Sequence, residues 1–239
     1  MASKDPTFNP LKLLAPVLPQ ANKHGIGTHA AAHLIVTVSP YASMEEGDLI
    51  ELFWGGCYVA SKQLTAADLG KPAALRVPES FLHSGRISVW YQVQKIGSTP
   101  SLSPVTDVSI KLDCPGGQLI DSGIGENQGL APLAVPDTVL RNGLTARQLK
   151  HGVALTIEAY QNMAVKDEIT LRWGDLRMDL PAINAEDVGK PITLKVPPTL
   201  IRDAGEDEQL EVTYCVIDRV GNNSRWAPPR ALKVSGVRV

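Results

Sequence analysis

The feature that most constrains this chain is that it repeats itself. Asp48-Leu-Ile-Glu-Leu-Phe-Trp-Gly55 aligns with Asp167-Glu-Ile-Thr-Leu-Arg-Trp-Gly174, an offset of 119 positions (167 minus 48). The same offset pairs Asp68-Leu-Gly-Lys-Pro72 with Asp187-Val-Gly-Lys-Pro191, Leu75-Arg-Val-Pro78 with Leu194-Lys-Val-Pro197, and Tyr41 and Met44 with Tyr160 and Met163. Solenoid units run to about 50 residues at most, so a repeat of this length is a whole domain present twice. A chain of 239 residues has room for two such domains.

Within each copy the apolar residues alternate with polar ones in short runs, the period-2 pattern of half-buried strands, and Gly, Pro and Asn fill the gaps. In the first copy the runs are Leu34, Val36, Val38; Ile50, Leu52, Trp54; Ala73, Leu75, Val77; Ile87, Val89, Tyr91, Val93; and Val108, Ile110, Leu112. The second answers with Val153, Leu155, Ile157; Ile169, Leu171, Trp173; Ile192, Leu194, Val196; Leu210, Val212, Tyr214, Val216; and Leu232, Val234. Short extra strands are expected after each Trp-Gly, around Tyr58–Ala60 and Arg177–Leu180. About seven strands per copy, with a Trp ending an early strand and a Tyr inside the penultimate one, predict an all-β chain of two tandem immunoglobulin-like β-sandwiches. Trp54 and Trp173 face inward by alternation, as core anchors whose indole nitrogens need a partner. Helix is expected only as single turns near Thr28–His33 and Thr145–Leu149, where Thr can cap.

The expected organisation is a tail over residues 1–12, a first sandwich over 13–112, a Gly-rich linker over 113–129, and a second sandwich over 130–239. The linker, with Cys114-Pro-Gly-Gly-Gln and Asp121-Ser-Gly-Ile-Gly-Glu-Asn-Gln-Gly129, reads as flexible or as partly ordered on a domain surface.

Composition narrows the function classes. A formal net charge of −2 carries no electrostatic footprint for nucleic acid, so no nucleic-acid partner is expected. No stretch approaches the ~20 apolar residues of a membrane span, and no signal peptide is visible before Pro19, which points to a cytoplasmic protein or one exported by a leaderless route. Cys57, Cys114 and Cys215 do not fall at equivalent repeat positions, which argues against a shared disulfide framework and for thiols. Cys215 faces outward by alternation, either reactive or merely tolerated.

No nucleophile elbow, phosphate loop, zinc helix or dinucleotide fingerprint is present, so no catalytic residue, cofactor or metal is expected and the chain reads as a non-enzyme. His24, His29 and His33 cluster without a carboxylate or thiol at ligand spacing and read as surface histidines. Glu206-Asp-Glu208 and Glu45-Glu-Gly-Asp48 lack the dense oxygen spacing of a calcium loop. Asn222-Asn-Ser224 fits a glycosylation sequon but reads better as a turn.

The order Asp-x-Ile-x-Leu-x-Trp-Gly, Asp-Leu/Val-Gly-Lys-Pro, Val-Pro and Val-x-Tyr-x-Val, with Asp218-Arg-Val-Gly-Asn-Asn-Ser224 in the second copy, resembles the immunoglobulin-like tandem repeats of bacterial surface and adhesin-type proteins. That resemblance covers nearly all of both copies and implies a binding, adhesion or host-interaction role. The alternative is a toxin or secretion-system cargo that uses such domains for targeting. The first copy departs from the pattern in having Gly97-Ser-Thr-Pro100 where the second has its Gly-Asn turn.

Shared positions are core, so function is expected where the copies differ. If Ile50, Leu52 and Trp54 point inward, Leu49, Glu51 and Phe53 point outward, where the aligned positions of the other copy are Glu168, Thr170 and Arg172; Trp90 points outward, and its equivalent in the other copy is Thr213. Leu49, Phe53 and Trp90, with Tyr58 beside them, predict an apolar cluster on the outer face of the first sandwich. It is either a contact surface for a protein or glycan partner, open also to homodimer formation, or a face covered by the tail, the linker or the second domain. A contact surface predicts that Trp90→Ser leaves stability nearly unchanged.

Overall fold

A computed structural model describes residues 11–118 and 125–236. The chain forms two compact units that divide between Leu112 and Asp113. Most of the tail predicted over 1–12, and residues 119–124 of the Gly-rich segment, lie outside the described residues.

The first unit contains α1 (Thr28–Ala31), β1 (Ile35–Val38), β2 (Leu49–Trp54), β3 (Cys57–Gln63), β4 (Ala73–Arg76), β5 (Gly85–Gln94), β6 (Ser101–Leu102) and β7 (Thr106–Ile110). One sheet is the antiparallel pair β1–β4. The other runs β3–β2–β5, and the far edge of β5 is shared by β6 and β7, one after the other. The strands form where the sequence alternates: β2 buries every second residue, Ile50, Leu52 and Trp54, and leaves Leu49, Glu51 and Phe53 on the opposite face. Those inward residues meet Val36, Val38, Leu75, Val89, Tyr91 and Val93 in one core.

The second unit repeats this plan with α2 (Asp137–Asn142), α3 (Ala146–His151), β8 (Val153–Ile157), β9 (Glu168–Trp173), β10 (Leu176–Asp179), β11 (Ile192–Val196), α4 (Pro198–Ala204), β12 (Asp207–Ile217), β13 (Asn223–Trp226) and β14 (Arg230–Val234). Here β8 pairs with β11, and β10–β9–β12 carries β13 and β14 along the edge of β12. Two immunoglobulin-like sandwiches are therefore present, each a two-stranded sheet over a five-stranded one.

The described parts of the Gly-rich segment pack onto the second unit. Gly116 donates to the Gln161 carbonyl, Asn127 donates through its side chain to the Pro115 carbonyl and through its backbone to Trp226, and Leu130 is buried in the core. Helix α3 is capped at Thr145 by a reciprocal pair with Gln148, as its sequence predicts. Helix α1 starts at Thr28 itself, with Gly27 at the cap and no side-chain cap. Helix α4 was not expected; Pro198 in its first turn and Gly205 after its last residue are the start and stop signals that mark it.

Each unit contains one buried Tyr–Asp pair at the repeat offset. Tyr41 donates to Asp48 at 2.8 Å and Tyr160 to Asp167 at 2.9 Å. The same carboxylates accept the backbone N–H of Glu45 and of Ala164, which ties the loop before the second strand to the core. Burial and the neighbouring carboxylate push both hydroxyls well above the usual tyrosine range. Burial pushes Tyr91 up to about 12, and burial with Glu158 raises Tyr214. These two hydroxyls donate to the Leu14 and Ala131 carbonyls, pinning the segment that precedes each first strand.

Trp54 and Trp173 are inward and sealed, at 2% and 0% exposure. Their indole nitrogens, expected to find a partner, have none among the described residues. The ring's apolar area outweighs the cost of one unpaired donor.

Strand β3 is an open edge of the first unit. Its Lys62 lies opposite the inward residue Ile50, and the ammonium reaches Asp68 at 2.7 Å. A lysine turned toward the core side of an edge strand discourages further strand pairing, because an added strand would cover the charge.

Candidate partner-binding face

The outer side of β3–β2–β5 is set out in rows by the register. Phe53 lies opposite Trp90 on one side and Tyr58 on the other. The Phe53 and Trp90 rings stack with centroids 4.0 Å apart and planes 3° from parallel, and Tyr58 meets Phe53 edge-on at 6.2 Å and 73°. The next row is polar: Ser61, Glu51 and Gln92, with Gln92 donating to the Glu51 carboxylate at 2.6 Å and Tyr58 donating to Ser61 at 3.0 Å. Leu49 stands in the third row between Gln63 and Gln94.

Three of the four residues singled out from sequence thus form one aromatic row, and the fourth does not join it. Four residues of strand separate Leu49 from Phe53, about 13 Å, and the Glu51–Gln92 pair lies between. Tyr58 is 52% exposed, whereas Phe53 and Trp90 are each half-buried by the other. Two further exposed apolar residues border the row. Leu102 lies opposite Gln92 and is 62% exposed; Val105 lies in the stretch between Ser103, bonded to the Tyr91 carbonyl, and Thr106, opposite Val89. The Ser-Leu-Ser run between Pro100 and Pro104 was the available signal for them.

The second unit handles the same face differently. Leu52 opposes Tyr91 as Leu171 opposes Tyr214, so Phe53 corresponds to Arg172, Trp90 to Thr213, Gln92 to Cys215 and Leu102 to Trp226. The Arg172 and Arg177 guanidinium carbons lie 5.3 Å and 5.6 Å from the Trp226 ring centroid, and Arg172 also bonds Glu211 at 2.9 Å. Beneath this cover Thr213 is buried, donating to the Ala227 carbonyl, and Cys215 is 9% exposed. Cys215 does take the outward side of the strand, but Trp226 covers it, and burial pushes its thiol up, away from reactivity. Trp226 escaped the sequence reading because its short strand follows a turn with no alternation to mark it.

That turn is built on Asp218, which accepts the backbone N–H groups of Val220 and Asn222 and the Asn222 side-chain amide. Asn222 is buried there, and its neighbour Asn223 accepts from the Arg225 backbone. Among the described residues no three His, Cys, Asp or Glu side chains are grouped to hold a metal, and no helix is long and apolar enough to cross a membrane.

No family model matches this chain, and no curated protein does. Among solved structures it is similar to a 1.5-MDa bacterial ice-binding adhesin studied for host cell surface retention, at 12% identity and a TM-score of 0.39, over 95% of this chain and 66% of that one. A tetra-tandem repeat from the extending region of a large adhesion protein gives 13% identity and a TM-score of 0.36, over 94% and 50%. The fibronectin(III)-like modules of Clostridium thermocellum CbhA give 10% and 0.41, over 91% and 92%. The chain spans less than two thirds of the length of the first two. At these TM-scores the likenesses carry no argument about ligand or activity.

Proposed function

We propose that this chain is a non-enzymatic binding module of the adhesion type, which engages a partner through the Tyr58–Phe53–Trp90 row on the first sandwich. The observation that carries this reading is the contrast between two copies of one fold: where Trp226 and two arginines close the outer face of the second unit, the first unit has three aromatic rings and an exposed Leu102. Clustered aromatics rimmed by polar side chains are the composition of binding hot spots.

Charge favours a protein partner over a neutral glycan, because the Glu51 carboxylate lies in the row beside the rings. Phe53 and Trp90 each give one flat to the other. What remains for a partner is their edges, the outer flat of Trp90, the Tyr58 ring and the Glu51 carboxylate. That set suits an apolar or planar cationic side chain.

The test is binding of labelled protein to matched arrays of extracellular proteins and glycans, with wild type beside a Phe53→Ser/Trp90→Ser double variant and an Arg172→Ser variant. Signal on proteins that drops at least about tenfold in the double variant, and persists in Arg172→Ser, is the expected result. Protein signal indifferent to the double variant would sink the reading.

A further inference from the structure

We infer that the partner of the aromatic row is a second copy of this chain, docked head to tail, with Arg177 of one copy set against Trp90, Tyr58 and Glu51 of the next. This rests on the reading of the row as a contact surface and adds its occupant.

The argument is charge and ring complementarity between the two units' corresponding faces. The row in the first unit offers π-faces with one carboxylate beside them: Glu51 is bonded to Gln92 and makes no ion pair with a described residue. The corresponding face of the second unit offers guanidinium groups. Arg172 is spoken for, stacked on Trp226 and paired with Glu211. Arg177 is exposed, with its guanidinium carbon 5.6 Å from the Trp226 ring centroid, and makes no ion pair among the described residues. A guanidinium can stack on an aromatic ring and bond a carboxylate through its N–H groups at the same time.

The second unit already holds such a contact on its own face: the Arg172 and Arg177 guanidinium carbons lie 5.3 Å and 5.6 Å from the Trp226 ring centroid. An indole on this kind of sheet face therefore accepts a guanidinium partner.

The contact is heterologous, since it joins unlike surfaces. Such contacts close on themselves or run on as an open chain, and in either case the mass rises with concentration. Three strands of six residues present about 300 Å² per side, about 600 Å² for the two sides together, which is well below the ~1,200 Å² of stable complexes and makes the contact weak and transient.

The experiment is size-exclusion chromatography with light scattering, and sedimentation velocity, on the full chain up to about 500 µM, at low and high salt. Wild type is expected to show a mass-average that climbs with concentration and falls several-fold in association constant at high salt. Phe53→Ser/Trp90→Ser and Arg177→Glu should each be monomeric, with unchanged circular dichroism. Mixing these two variants is the decisive arm: each retains one intact face, so a discrete one-to-one complex forms and grows no further. Glu51→Arg combined with Arg177→Glu in one chain should restore growth. Wild type that remains monomeric overturns the inference, while array binding through the row would leave the proposed function standing. Self-association that survives Arg177→Glu but is lost in the aromatic variant would mean that like faces meet, and overturns it as well.

Discussion

Phe53 and Trp90 face each other across β2 and β5 with their rings 4.0 Å apart and nearly parallel, so each shields the other from water. The pair is at once part of a contact surface and part of the fold. A double-mutant cycle with Phe53→Ala and Trp90→Ala is expected to give a coupling energy of about 0.5–1.5 kcal/mol. A free-standing contact ring would leave stability nearly unchanged on Trp90→Ser; the stack on Phe53 revises that expectation to a fall of several degrees in the melting temperature of the first unit. Urea titrations of the four proteins measure the coupling; a value near zero would show the stack is incidental.

Trp173 is sealed in the second core, and its indole nitrogen has no partner among the described residues. Trp173→Ala is expected to cost about 3–5 kcal/mol, from lost transfer energy and the cavity left behind. Trp173→Phe, which removes the unpaired donor along with one ring, should cost clearly less. Denaturant midpoints of both variants would decide; equal losses would mean that the retained ring fills no cavity and refute the packing argument.

Gly25 has φ of +126°, and a Cβ there would lie 2.1 Å from the Ser109 carbonyl oxygen, the same oxygen that accepts the Ile26 N–H. Gly56 also has positive φ, +84°, but open space around it. Gly25→Ala should therefore destabilise the first unit by more than the ~1–3 kcal/mol of backbone strain alone, and Gly56→Ala by no more than that. Comparable losses in thermal melts would refute the collision.

Four of the five tyrosines, Tyr41, Tyr91, Tyr160 and Tyr214, have hydroxyls whose folded-state pKa is raised. A raised folded pKa gives stability that is intact below the unfolded value, about 10, and declines as pH climbs from there toward the folded value. Each such group contributes a slope of about 1.4 kcal/mol per pH unit in that window. Alkaline unfolding should thus begin above about pH 10, with the rise in tyrosinate absorbance coinciding with loss of tryptophan fluorescence structure. Tyr41→Phe/Tyr160→Phe should shallow the decline. Tyrosinate formation well before unfolding would contradict the burial argument.

Strand positions, the inward set and the aromatic row were legible in the sequence because all three depend on a period of two, which duplication lets one read twice. Phe53 and Trp90 could be placed side by side from alternation and strand order alone. Leu49 was misgrouped because alternation reports the face and not the distance along it. Trp226 and its arginines were invisible for the opposite reason: their contact joins β9, β10 and β13, and no local pattern encodes a stack formed between separate strands. The Gly-rich segment read as flexible or as partly ordered on a domain surface because its composition permits both, and the specific contacts that Gly116 and Asn127 make are ones composition cannot report.

Lys62 has a bearing on how this protein can crowd. With its ammonium tethered on the inner side of the outermost strand, backbone-to-backbone zippering along that rim would require entombing a charge. At that rim, densely packed copies are left with side-chain handshakes, which salt and dilution undo, in place of the locked ladders of a fibril.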